Sequence, residues 1–340
     1  MKEKIKSLEK IKNEAVLFLV MLIVFLFRFP FRKDVLHILY GESLVTNVGM
    51  KFGIVNYLDS FDRYLYILCV IAVVLMFCVY FIFSLNFIRG QDNKERAMYI
   101  CTIFSVIPMS VFSVISRDNF SIIALTGVLT AGVCLLFCEK EKNVILIPIF
   151  LLLSAVVSPI CMCIAFSIIF YSLKYEFKNN KKQTLHTTAY ILSFIEYAVC
   201  TAMVIFTYIG TPYFIKDYFI PCVVTILLSI PVMMPLFIIF KGYDKKFIFT
   251  VILMSIPILL ASTDTRFFTM CIVNALIFSA IYLLKKENIS FKKETDKLFT
   301  WIENHIFLSC CYLIYCCVLS ASSLGVAGKI TEKLLRYFVL

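Results

Sequence analysis

Acids and cations stand side by side at five places between the apolar runs of this chain. The groups are Arg32-Lys33-Asp34, Asp62-Arg63, Arg117-Asp118, Lys216-Asp217 and Asp264-Thr265-Arg266. A carboxylate in such company can serve as a general base or a metal ligand. An arginine can hold a phosphate through two parallel hydrogen bonds. Each group also has a plainer use, marking a helix end where apolar chain meets water. Gathered on one face of a compact bundle, they would line a polar pocket next to lipid. Such a pocket suits a substrate with an anionic phosphate and an apolar tail.

The elements that must position these residues are helical and apolar. Hydrophobic residues make up 61% of the 340 and charged residues 16%, against about 45–50% and about 25% in a typical soluble domain. The expected class is an all-α integral membrane protein, with the lipid bilayer as its first partner. The net charge of +11 is no sign of a nucleic-acid partner, because in a membrane protein the distribution of cations matters more than their sum. Most of the 14 cysteines fall inside apolar runs, among them Cys69, Cys78, Cys134, Cys161, Cys163 and Cys271. There they behave as small hydrophobes. Cys310-Cys311 and Cys316-Cys317 recur at helical spacing with His305 upstream, leaving a metal or redox reading beside the plain one. Phosphate-binding glycine loops, HExxH and GxSxG are absent, which excludes the common soluble-enzyme signatures.

A spanning helix needs about 20 apolar residues. Windows bounded by charge place spans at Ala15–Phe29, Leu65–Phe87, Met98–Ile115, Phe120–Cys138, Thr188–Ile209, Tyr218–Phe240, Phe247–Ala261, Phe267–Leu284 and Leu298–Leu319. The uncharged run Val144–Leu173 lies between EKEKN and KYEFKNNKK, two lysine-bearing flanks that one helix would put on opposite sides. Proline disfavours helix at the residue before it. A break at Ser158-Pro159 therefore yields a helical hairpin over 144–173 and keeps both flanks together. The expected architecture is a polytopic bundle of about 11 spans forming a single domain over 1–340. Residues 1–14 are then cytoplasmic, 30–64 form a long outer loop, and 325–340 an outer tail. Of the 33 Lys and Arg, 22 fall on the cytoplasmic side of this topology, as the positive-inside rule requires. The run after the first helix ends in FRFPFRK and lacks the small residues of a cleavage site, so that helix reads as a retained anchor.

The long outer loop is the polar segment around which the acids collect. It carries Asp34, His37, Asp59, Asp62 and Arg63, with apolar Leu36, Leu39, Val48, Phe52, Ile54 and Val55 between them. That mixture suggests a short helix lying in the membrane interface. Within the spans, Glu196 stands out in IEYAVC and Asn274 in IVNAL. A charge at bilayer depth costs roughly 2.5–3.5 kcal/mol on insertion scales. Glu196 must then face protein, carry a proton, or line a water path, and an ion-coupled transporter would need such a residue.

In layout the chain resembles the GT-C membrane glycosyltransferases and related polysaccharide-assembly proteins of bacteria. The residues that carry the resemblance are Asp34 in FRKD after the first helix, Asp118 in SRDNF, and Asp264 and Arg266 in STDTRFF late in the chain. The adjacent acidic pair often found in the first loop of that family is missing, and no large soluble C-terminal domain follows. The resemblance implies a bacterial cell-membrane enzyme with a cytoplasmic N-terminus, transferring sugar from a polyprenyl-phosphate donor on the outer leaflet. In that reading Asp34 and Asp118 are catalytic, the first as base or metal ligand and the second in support. Arg266, with Arg117 and Arg63, holds the substrate phosphate. Asp264, Asp62 and His37 support them, and a divalent metal ion stays open as cofactor. A polysaccharide polymerase of different fold and a non-enzymatic flippase or transporter of lipid-linked sugar are the alternatives.

Overall fold

The computed structural model describes residues 96–97, 120–138, 143–179, 184–208, 219–261 and 265–321. The first helix, the long outer loop, the spans expected over 65–87 and 98–115 and the C-terminal tail lie outside the described residues. Among those described, the chain forms nine helices and no strand: α1 Phe120–Phe137, α2 Leu146–Val157, α3 Pro159–Asn179, α4 Thr184–Tyr208, α5 Phe219–Tyr243, α6 Lys245–Ala261, α7 Thr265–Lys285, α8 Ile289–Asn304 and α9 Ile306–Ala321. Two of them, α3 and α4, are long and apolar enough to cross a membrane.

Helix leaves off between α2 and α3 at Ser158, where the proline rule puts the break. Ser158 is extended, with φ −163° and ψ 140°. Its amide still donates to the Ser154 carbonyl at 3.1 Å, closing α2. Its hydroxyl accepts from the Ile160 amide at 3.3 Å and its carbonyl from Cys161 at 2.9 Å, opening α3. Pro159 takes the first helical position, where its missing N–H costs nothing. One residue thus caps both helices.

The bundle is built around α3, which touches α1, α2, α4, α6 and α7. Every residue from Pro159 to Leu173 is buried, and so is every residue of α7 from Met270 to Leu284. A helix apolar on all sides belongs inside, and these two form the centre. Close approach of α1 depends on Gly127, where a Cβ would stand 2.8 Å from the branched side chain of Ile164.

The surrounding helices are sided. Helix α4 turns His186, Ala189, Ser193, Tyr197, Cys200 and Val204 inward, at steps of three and four. Its other face exposes Ile191, Leu192, Ile195, Val199 and Phe206, the last 79% exposed. Helix α2 likewise exposes Ile149, Leu152, Leu153 and Val156, and α6 exposes Phe249 and Leu253. The outward faces are as apolar as the centre.

The last span differs from the expectation of one helix over 298–319. Residues 289–304 form α8, and the chain breaks at His305 (φ −129°, ψ 48°) before α9 begins. The reason lies in the side chains: α8 buries Phe291 and Thr295 against the bundle while exposing Lys293 and Lys297. A helix so divided fits one face to the bundle and the other to water. The expected loop after α7 is short for the same reason. Its reversal is a closed turn in which Asn288 N–H donates to Leu283 O and Glu287 N–H to Leu284 O, each at 3.1 Å. Glu287 sits at φ 52° in the left-handed region, and Asn288 then caps α8 by accepting from the Phe291 amide at 3.0 Å.

Candidate functional site

Of the residues the sequence nominates, Asp34, His37, Asp62, Arg63, Arg117, Asp118 and Asp264 lie outside the described residues. Arg266 is the second residue of α7. Three residues separate it and Thr265 from the end of α6 at Ala261. Between Arg266 and Lys285 helix α7 carries no charge, a stretch about 28 Å long at about 1.5 Å per residue. The hydrocarbon core of a bilayer is about 30 Å thick.

The other end of the bundle is where the described residues gather polar groups. The C-termini of α3, α5 and α7 meet there with the start of α6, bringing Lys178, Lys241, Lys245, Lys246 and Lys285 to one end. The centre of this end is Glu176, 6% exposed on α3. The Tyr282 hydroxyl donates to its carboxylate, and the Lys286 ammonium pairs with it at 2.6 Å. Lys286 also lies 5.6 Å from the centre of the Tyr282 ring, a cation–π distance. This places a compensated carboxylate at the junction of α3 and α7, a clamp held by three groups.

A second set of contacts ties α5, α6 and α8 to the same end. Asn288 Nδ2 donates to the Tyr243 hydroxyl at 3.2 Å. Around them Phe240 stacks on Phe247 at 4.0 Å, Tyr171 meets Phe247 edge-on at 4.3 Å, and Phe291 packs on Tyr243 at 5.4 Å. Asp296 of α8 forms an ion pair with Arg96. Sequence reading missed Glu176 because KYEFKNNKK looks like a solvated loop, yet α3 runs on through it to Asn179. The missed signal is Tyr175 and Phe177 interleaved with the charges, which keeps an apolar component going past Leu173.

Deeper in the bundle, one backbone carbonyl joins three helices. Met254 O of α6 accepts from the Ser167 hydroxyl of α3 at 2.5 Å and from the Tyr197 hydroxyl of α4 at 2.8 Å. Pro257 lies inside α6 three residues later. The N–H that proline lacks would have gone to the Leu253 carbonyl, one residue before Met254. Phe166 stacks on Tyr197 at 4.6 Å and steadies the ring.

Glu196 lies half-buried on α4, in the electrostatic reach of Cys134 and Cys200. Its Oε2 is buried with no hydrogen-bond partner among the described residues. His305 does not join the neighbouring cysteines in a cluster: its Nδ1 lies 2.9 Å from the Trp301 carbonyl, and its ring stacks on Trp301 at 4.8 Å. Among the described residues no group of three His, Cys, Asp or Glu side chains is placed to hold a metal ion.

No family model, no curated protein and no solved structure matches the chain.

Proposed function

We propose that the protein is a multi-pass membrane glycosyltransferase that uses a polyprenyl-phosphate-linked sugar donor on the outer leaflet during cell-surface glycan assembly. The observation that carries this reading is the position of Arg266. It opens a central, otherwise uncharged helix of bilayer length, and the opposite end of that helix lies among lysines. The apolar outward faces of α2, α4 and α6 support a lipid-embedded bundle, since a water-facing surface would carry charge there. The lysine-rich end supports a cytoplasmic assignment by the positive-inside rule, which puts Arg266 at outer headgroup depth. An arginine there meets a lipid phosphate without leaving its own helix end.

In the proposed reaction an acceptor hydroxyl attacks the anomeric carbon of the donor sugar. Its proton passes to Asp34, and the bond to the phosphate oxygen breaks with the electron pair leaving on the polyprenyl phosphate. Asp118 supports Asp34, and Arg266 with Arg117 and Arg63 holds the phosphate. Asp264, Asp62 and His37 complete the outer face. The test is binding of a polyprenyl phosphate to the protein in lipid nanodiscs. Arg266→Lys keeps the charge and loses the planar fork, so affinity should fall for Lys and further for Ala. Equal binding by wild type and Arg266→Lys removes the phosphate site, because a lysine that merely marks the interface snorkels as well as arginine. In a transfer assay, Asp34→Asn and Asp118→Asn should each lose about 10²–10⁴-fold in rate.

A second reading, a transporter of lipid-linked sugar, is favoured by Glu196, whose buried oxygen has no partner among the described residues, as a coupling site would offer. Full transfer activity in both aspartate variants together with loss of function in Glu196→Gln would select it.

A further inference from the structure

Helix α8 joins two uncharged stretches. Before it, α7 carries no charge from Phe267 to Leu284 and meets lysines only at its end, at Lys285 and then Lys286. After it, α9 carries no charge over its whole length. Ile306, Phe307 and Leu308 at its start are all exposed, Phe307 by 79%. Successive residues point about 100° apart at about 3.6 per turn, so no single neighbouring helix covers all three. Hydrocarbon does, and a helix of that kind belongs in it.

Helix α8 itself holds six charges in 16 residues: Lys292, Lys293, Glu294, Asp296, Lys297 and Glu303. At roughly 2.5–3.5 kcal/mol each in the middle of a bilayer, they keep it from crossing one. Both of its ends are nevertheless tied to stretches that suit hydrocarbon. The closed turn at Glu287-Asn288 starts α8 where α7 reaches its lysines, and one break residue, His305, separates it from α9. A helix about 24 Å long that cannot cross the bilayer has both ends on one side of it. It therefore lies along that boundary.

The side chains fit this placement. Phe291, Thr295 and Leu298 pack on the bundle. Away from it, Lys293, Lys297 and Trp301 follow at steps of four, all exposed. The acids between them are engaged within the protein, Glu294 by Lys297 at 2.6 Å and Asp296 by Arg96. The bond to Glu294 uses one of the three N–H donors of Lys297. Trp301, the one tryptophan of the chain, is 48% exposed and stacks on His305 at the entry to α9. Tryptophan favours the depth at which headgroups meet hydrocarbon, and lysine reaches outward from there to phosphate.

We propose that α8 is an interfacial helix whose outer row, Lys293, Lys297 and Trp301, lies among the phospholipid headgroups at the lysine-rich end of the bundle. The lysine ammonium groups donate to phosphate oxygens, and the indole N–H donates to ester carbonyls. The inference rests on the lipid-embedded bundle and not on sugar transfer.

The wild-type chain carries the probe for the test. In phospholipid vesicles, Trp301 is excited selectively over tyrosine, and its emission is compared with that in vesicles of brominated lipid, because bromine quenches tryptophan on contact. Bromines near the headgroup end of the acyl chains should lower the emission severalfold, and bromines near the chain ends much less. Stronger quenching from the chain ends overturns the proposal, since α8 would then lie deep in hydrocarbon. No quenching by either lipid also overturns it. Strong quenching by aqueous iodide would then mean a helix facing bulk water, and protection from iodide as well would mean a protein partner over Trp301. Resistance to an alkaline carbonate wash reads embedding separately. Protein that survives the wash with Trp301 unquenched by lipid refutes the interfacial helix alone, whereas protein that washes off refutes the lipid-embedded bundle with it.

Discussion

The carbonyl of Met254 is the residue-scale feature with the sharpest consequence. Two donors from different helices, Ser167 and Tyr197, converge on one acceptor. Either donor alone still satisfies it. Tyr197→Phe or Ser167→Ala should therefore destabilise the protein by only roughly 0.5–1.5 kcal/mol, the range for one such bond. The double variant should depart from the sum of the two, because both donors share one acceptor. Denaturant-induced unfolding of the three variants reads the coupling, and simple additivity would dismiss the shared-acceptor account. Glu176 obeys similar logic with opposite stakes. Removing Lys286 takes an ion-pair partner from a buried carboxylate, which is costlier than the intact pair is stabilising.

Among the elements, the turn between α7 and α8 sets how the surface helix docks. Its bond pattern is the one that glycine usually completes in the left-handed position, and here Glu287 holds it at φ 52°. The Cβ of an L-residue costs roughly 1–2 kcal/mol in that conformation. Glu287→Gly should raise stability by roughly 0.5–1 kcal/mol, part of the relief being offset by the freer unfolded chain. Glu287→Val should lower it, since a β-branched residue fits that region worst. Thermal unfolding of both variants decides the matter, and a Gly variant no more stable than wild type would mean the turn carries no strain. The neighbouring Asn288 explains why α8 starts where it does, capping Phe291 and reaching back to Tyr243 in one side chain.

For the whole molecule the question is which way the bundle faces. The lysines at the ends of α3, α5 and α7 gather at one end, and Arg266 opens α7 at the other. Cysteines placed at Asn179 or Asn180 should stay unlabelled by impermeant thiol reagents applied outside intact cells, while those at Thr263 or Asp264 should react. Labelling at Asn179 from outside would invert the proposed orientation and take Arg266 away from the outer leaflet. The aspartates of the proposed site depend on the same result, because Asp34 and Asp118 can meet a donor lipid only on the face that Arg266 shares.

The helical class and the break at Ser158-Pro159 could be read from the chain alone. Each follows from a local rule: composition for the class, and the steric limit that proline sets on the residue before it for the break. The surface helix α8 was hidden because its charges resemble a loop until Phe291 and Thr295 are seen to be buried. The outer acids and arginines could be nominated from their spacing, but spacing cannot bring Asp34, Asp118 and Arg266 to one place. Tertiary structure alone decided that α3 and α7 are the centre, while α4, no less apolar, faces outward on one side. In a soluble protein charge would mark the outer face. Where the surroundings are as apolar as the interior, that contrast vanishes from the sequence. Only packing then tells which Leu or Ile points in, and only packing joins Glu176 to a tyrosine 106 residues away.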